Sequence, residues 1–157
     1  MNTTMTMAPV MPQPAMSTTP PMKMPEVIRA IPVRQPTELY DRFALAFNQG
    51  DVEAIMALFD DAGQTVPFPG QPPVIGLLAI RAVMQQCLAL RPQIRYERVN
   101  VLQADEIALL TAEWRLTLHL PDSYPQEQSG KGIQVARRQP DGSWRLLIDN
   151  PWAGHGV

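Results

Sequence analysis

The stretch Glu106–Leu120, EIALLTAEWRLTLHL, governs how the rest of the chain is read. It holds neither Pro nor Gly. From Thr111 onward its residues alternate. Thr111, Glu113, Arg115, Thr117 and His119 fall on one side, and Ala112, Trp114, Leu116, Leu118 and Leu120 on the other. A sustained period of two predicts a strand with unlike faces. A strand of this length needs neighbours on both edges to pair its backbone donors and acceptors.

Those neighbours are legible on either side. Upstream, Ile94–Gln103 reads as a strand, with a turn at Ala104-Asp105. Downstream, Pro121–Gln128 reads as a polar loop and Gly130–Arg138 as a strand. Pro140-Asp141-Gly142 is a turn signal, Ser143–Asp149 is the last strand, and Asn150-Pro151-Trp152 breaks it. Further upstream the pattern turns helical. Leu77–Leu90 carries the stripe Ile80, Val83, Met84 and Cys87 and is stopped by Pro92. Pro67–Pro73 is a stiff loop after a short strand, Gln64–Phe68. The first helix follows Pro36, with Thr37 as N-cap, Glu38 in the first turn, the stripe Leu39, Phe43, Phe47, and Gly50 as its stop. Asp51 caps a second helix, Val52–Asp60, whose Val52, Ile55, Met56 and Phe59 share a face before Gly63 ends it. Helices first and an antiparallel meander after them define an α+β domain, with three helices to cover the sheet's apolar face.

Residues 1–36 differ in kind. They hold 8 of the 17 prolines and 7 of the 9 methionines. Proline removes backbone donors and blocks helix continuation. Residues 1–36 are therefore expected to be a disordered tail, residues 37–152 the domain, and 153–157 a flexible end. Within the tail, Pro25–Pro36 can form an extended arm that lays Val27, Ile28, Ile31 and Val33 on the domain surface. The whole chain has 157 residues, 13 basic and 15 acidic, which suits one domain with one core. No basic run is present, so no nucleic-acid or anionic-membrane partner is expected. No apolar run reaches membrane-span length. Residues 1–22 have no Lys or Arg and are cut by prolines, unlike an export signal, so a cytoplasmic location is expected. The single cysteine, Cys87, excludes an internal disulfide. With only His119 and His155 beside it, no metal site is expected.

The layout resembles the nuclear transport factor 2-like superfamily, and within it the SnoaL-like/DUF4440 proteins related to ketosteroid isomerase. Four stretches carry the likeness: Asn48-Gln49-Gly50-Asp51, Ala57-Leu58-Phe59-Asp60-Asp61, Gly76 with Ala79-Ile80-Arg81, and Asp141-Gly142-Ser143-Trp144-Arg145. The resemblance covers roughly Thr37–Trp152. It implies a cone-shaped fold, a curved and mostly antiparallel sheet wrapped around the three helices, a pocket between the layers, and a homodimer through the sheet. It also permits a test of isomerase chemistry, which uses an Asp base and an oxyanion-holding Tyr and Asp. Aligned on the shared landmarks, the base position falls at or beside Pro67, the Tyr position at Phe43 and the second Asp position near Gln134. That machinery is therefore not expected here.

Other residues are candidates for chemistry. Glu113, Arg115 and His119 share one side of the central strand, with Gln134 and Asp149 on the two strands that follow. A buried carboxylate near an imidazole can act as a general base. Two orientations are open. Landmark alignment turns this polar face inward, whereas the cost of burying Glu and Arg unpaired turns Trp114, Leu116 and Leu118 inward instead. Asp149 is the best polar candidate; its alternative role is an Asx-type turn around Pro151. Tyr40, Phe43, Phe59, Phe68, Trp114 and Trp152 are candidates to line a pocket. The expected function is binding of a small apolar molecule, with isomerase, cyclase or dehydratase chemistry that uses no cofactor. Asp149 or His119 would move the proton, and Tyr40 or Gln134 would donate a hydrogen bond. The alternative is a non-catalytic homodimeric binding or assembly module.

Overall fold

The computed structural model describes residues 31–154. In chain order the elements are α1 (Glu38–Asn48), α2 (Val52–Met56), β1 (Phe59–Thr65), β2 (Val74–Ile75), α3 (Leu77–Leu88), β3 (Gln93–Ala104), β4 (Ile107–Leu118), β5 (Gln126–Arg138) and β6 (Trp144–Asn150). The strands form one sheet in the order β2-β1-β6-β5-β4-β3. β1 and β6 are parallel, and every other neighbouring pair is antiparallel. The sheet is open and curved, and the fold is the cone-shaped α+β type. Register shifts interrupt β1 between Phe59 and Gln64, β3 between Glu97 and Asn100, and β6 between Leu146 and Ile148, opposite Val135 and Ala136 of β5. Such bulges bend a strand and raise its twist. In β3 the irregularity includes Arg98, a non-glycine residue at φ 49°.

The period of two in β4 decides the layers. Ala108, Leu110, Ala112 and Trp114 are buried, while the alternating Ile107 and Leu109 are exposed. The buried face meets Leu39, Tyr40, Phe43 and Phe47 of α1 and Ile80 and Met84 of α3 in one core. Burying a side chain such as Leu110 or Ile80 is worth roughly 1.5–3 kcal/mol. On the other face Glu113 sits between Arg98 and Lys131, and Arg115 bonds Glu97.

Several elements depart from the sequence expectation. The second helix stops at Met56, and Phe59 opens β1. Phe59 suits the helical stripe, but it pairs with Leu146 of β6 and is just as buried there. The amide of Leu146 also donates to the carbonyl of Leu58 at 2.7 Å. Gly63 therefore ends no helix. It lies inside β1, where a Cβ would stand 2.8 Å from the carbonyl oxygen of Asp60. The short strand begins earlier than Gln64, and β5 begins at Gln126, inside the stretch read as loop, because Leu118 of β4 gives Gln126 a partner. β2 was not expected; two residues carry no period. Thr37 makes no side-chain cap, whereas Asp51 accepts from the Ala54 amide at 3.1 Å.

The packed domain also starts before Thr37. Val33 is 4% exposed, and its carbonyl accepts from the Trp144 amide at 2.9 Å. Arg34 donates to the Asp141 carbonyl at 2.8 Å. Val33 and Arg34, the end of the stretch read as an extended arm, thus pack against the turn and start of β6. Met1–Met24, Val27, Ile28 and His155 lie outside the described residues. Among the described residues no helix is long and apolar enough to cross a membrane.

An ion pair between buried Asp60 and half-exposed Arg137 ties β1 to β5 across β6. Asp60 accepts from Arg137 at 2.6 and 3.0 Å, from Gln139 at 2.7 Å and from the Ala62 amide at 2.9 Å. Burial alone would raise its pKa, but these bonds outweigh burial and hold it down at about 2.

Candidate functional site

A cavity of about 490 Å³ lies between the inner face of the sheet and helices α1 and α3. α1 contributes Phe43 and Phe47, and α3 contributes Val83, Met84 and Cys87. β3 supplies Ile94 and Tyr96, and β4 supplies Trp114, Leu116 and Leu118. The end of β1 and its loop add Thr65 to Pro69, and the end of the sheet adds Asp149, Pro151 and Trp152. These side chains follow from the strand period: each strand turns one apolar row inward. Among the described residues, Asp149 is the single carboxylate on this wall, and no Lys, Arg or His joins it. The volume falls in the range of small-molecule sites, which are mostly apolar with a few placed polar groups.

Asp149 is held by a row of residues across three strands. Thr65 of β1 and Gln134 of β5 are its direct neighbours in the sheet. Thr65 Oγ1 donates to Asp149 Oδ2 at 2.8 Å, and Gln134 Nε2 donates to Asp149 Oδ1 at 3.0 Å. The Tyr40 hydroxyl in turn donates to Gln134 Oε1. Burial raises the Asp149 pKa, and the bonds from Gln134 and Thr65 only partly offset it. Burial and the nearby Asp149 charge also raise the hydroxyls of Tyr40 and Tyr96 and the thiol of Cys87, so all three stay protonated donors. The Tyr96 ring lies 4.5 Å from that of Tyr40, between centroids.

The mouth is built from the end of the sheet. Trp114 Nε1 donates to the Pro151 carbonyl at 2.7 Å, and the Trp114 and Trp152 rings meet edge to face at 5.3 Å. The Asx turn around Pro151 belongs to Asn150, whose Oδ1 accepts from the Trp152 amide at 3.1 Å. Asp149 is thereby left for the cavity.

Of the expected site residues, Asp149, Phe43, Phe68, Trp114 and Trp152 meet at the cavity. Tyr40 and Gln134 do not reach its wall; they stand behind Asp149 around a void of about 10 Å³. Phe59 is plain core at 1% exposure and does not line the cavity. Glu113 and Arg115 are placed on the outer face in surface ion pairs, the arrangement that avoids burying them. His119 follows β4 on the exposed side, with Nδ1 3.1 Å from the Arg91 carbonyl, and does not meet Asp149.

Tyr96 and Thr65 were missed by sequence reasoning. Tyr96 shares a strand face with Ile94, a visible signal two residues apart. Thr65 had none, because its place opposite Asp149 is a matter of register. At the three isomerase positions the cavity has apolar Pro67 and Phe43 on its wall and Gln134 behind it. A carboxylate comes from β6 and a phenol from β3 instead.

A family model described as a SnoaL-like domain matches residues 40–146. No curated protein matches the sequence. Among solved structures, a candidate calcium/calmodulin-dependent protein kinase II association domain from Xanthomonas campestris is 18% identical, with TM-score 0.68, covering 77% of this chain and 86% of that one. A candidate dehydratase of the NTF2-like family from Streptomyces avermitilis is 22% identical, with TM-score 0.65, covering 74% of this chain and 91% of that one. An NTF2-like superfamily protein from Salmonella enterica serovar Typhimurium is 18% identical, with TM-score 0.66, covering 77% and 91%. At these identities the likeness speaks to fold alone.

Proposed function

The chain belongs to the SnoaL-like family of the nuclear transport factor 2-like superfamily, and from that premise we propose that it binds a neutral, mainly apolar molecule in the cavity and moves a proton on it through Asp149. The observation that carries this reading is a buried carboxylate on a mainly apolar wall, the single carboxylate there among the described residues. Burial raises its pKa above the usual carboxylate value, which makes the ionised carboxylate a stronger base. The ligand would carry a carbonyl with an acidic C–H beside it. Asp149 takes the proton from carbon, and the Tyr96 phenol donates a hydrogen bond to the oxygen that gains charge. Returning the proton to another atom gives isomerisation; returning it to a departing hydroxyl gives dehydration. Neither step asks for a cofactor. A carboxylate or phosphate on the ligand would face Asp149 with no cation on the wall, among the described residues, to offset it.

The experiment is a melting-temperature screen against neutral lipophilic ketones and enones, with lipophilic carboxylates as the contrast. A neutral ligand at a hundred times its dissociation constant adds about 2.7 kcal/mol, a shift of several degrees. The reading fails if the carboxylates shift the protein and the neutral compounds do not.

A second reading, a homodimeric assembly module without chemistry, has its own observation. On the outer face Leu102, Ile107, Leu109 and Ile133 are exposed, with Leu102 directly opposite Leu109. A contiguous apolar patch on a sheet is a common protein contact. Sedimentation should then find a dimer at micromolar concentration, and Leu109→Lys should yield a folded monomer. A monomeric wild type removes this reading.

A further inference from the structure

We infer that Tyr40 is a positioning residue that sets the basicity of Asp149 through the Gln134 side chain; the inference rests on the proton-carrying role proposed for Asp149. The argument begins with the amide. A glutamine side chain has two unlike ends, a carbonyl that accepts and an NH₂ that donates. Gln134 lies between a phenol and a carboxylate. With the Tyr40 hydroxyl donating to Oε1, Nε2 faces Asp149 and supports its charged form. If the amide turned over, its carbonyl would face the carboxylate, and the buried Tyr40 hydroxyl would lose its acceptor. An unmade buried hydrogen bond is costly, so Tyr40 biases the amide toward the orientation that stabilises the anion.

Surrounding groups make this one bond matter. Tyr40 on α1, Cys87 on α3 and Tyr96 on β3 are the titratable groups near Asp149, and all are neutral donors. Thr65 on β1 and Gln134 on β5 complete the shell. Among the described residues no cation faces the carboxylate from the cavity side. Dipoles alone therefore carry its charge. The packing also reserves room for the amide: a Cβ at Gly132 would stand 2.9 Å from Gln134 Nε2. The void beside Tyr40 and Gln134, about 10 Å³, is too small for a ligand, so neither residue acts by touching one.

The test is a carbon-13 titration of the Asp149 carboxyl in ligand-free protein, assigned by its disappearance in Asp149→Asn. Four proteins are compared: wild type, Tyr40→Phe, Gln134→Met and the double variant. Loss of a hydrogen bond to the charged form raises a carboxyl pKa, so Tyr40→Phe should move the midpoint up by about half to one pH unit. Gln134→Met should move it at least as far. In the double variant, Tyr40→Phe should add nothing, because its route is already gone. A purely structural Tyr40 would lower the melting temperature and leave the midpoint in place. An unmoved midpoint, or a full extra shift in the double variant, overturns the inference. The titration needs no ligand, so an empty ligand screen would count against the proposed function without touching this result.

Discussion

Asp149→Asn is expected to keep the fold and to lower turnover of any cavity-bound carbonyl compound by about 10²- to 10⁴-fold. Asn has nearly the volume of Asp, and its carbonyl can still accept from Gln134 or Thr65. Its NH₂ can donate to the Thr65 hydroxyl. The site therefore stays assembled but loses its proton acceptor. Stability should move in the opposite sense to activity. The folded-state pKa of Asp149 is raised, because burial outweighs the bonds from Gln134 and Thr65. The native state thus holds its proton to higher pH than the unfolded chain does. Wild type loses stability as pH rises from the ordinary carboxylate value, 3.8, through the raised one. The Asn variant lacks this loss. Melting curves across that window should show the variant equal to or above wild type near neutral pH, with the gap closing in acid. Full turnover by Asp149→Asn would end the proton-transfer proposal.

Trp114→Ala is expected to be the most damaging single change at the cavity wall, at about 3–5 kcal/mol. Trp114 is 3% exposed, so the cavity it leaves has few ways to close. It also holds the Pro151 carbonyl and packs edge to face on Trp152, so its loss frees the segment that follows Asp149. Trp114→Phe separates these effects. It keeps most of the apolar wall and loses the indole N–H bond to the part-buried Pro151 carbonyl, for a cost of about 0.5–1.5 kcal/mol. Denaturant unfolding at fixed pH reads both. A loss below about 1 kcal/mol for the alanine variant would show that the wall does not depend on this ring.

The two variants probe different levels of organisation. The Glu106–Leu120 alternation set Trp114 opposite Glu113 and Arg115 but left both orientations open, since landmark alignment turned the polar face inward and the cost of burying Glu113 and Arg115 turned Trp114 inward. Those two residues were also candidates for the site, and electrostatics sent them to the outer face. His119 went with them, since a period of two puts it on their side. Phe59 shows the limit of periodicity: a helical stripe and a strand opening bury it equally well, and pairing with Leu146 settled the matter. Tyr40 sits on the same apolar stripe as Phe43, yet its hydroxyl has a partner 94 residues away.

By itself, the sequence determined the class of the fold, the order of helices before a meander and the SnoaL-like resemblance. Each rests on local period or short motifs, which any window of the chain displays. Only the tertiary structure decided that Thr65, Asp149 and Gln134 share one row and that Tyr40 locks it from behind. That row depends on how far β1 and β5 slide along β6, and a shift of one residue would turn every side chain to the opposite face. Register is set by the packing of all layers at once, so no stretch of the chain carries it alone.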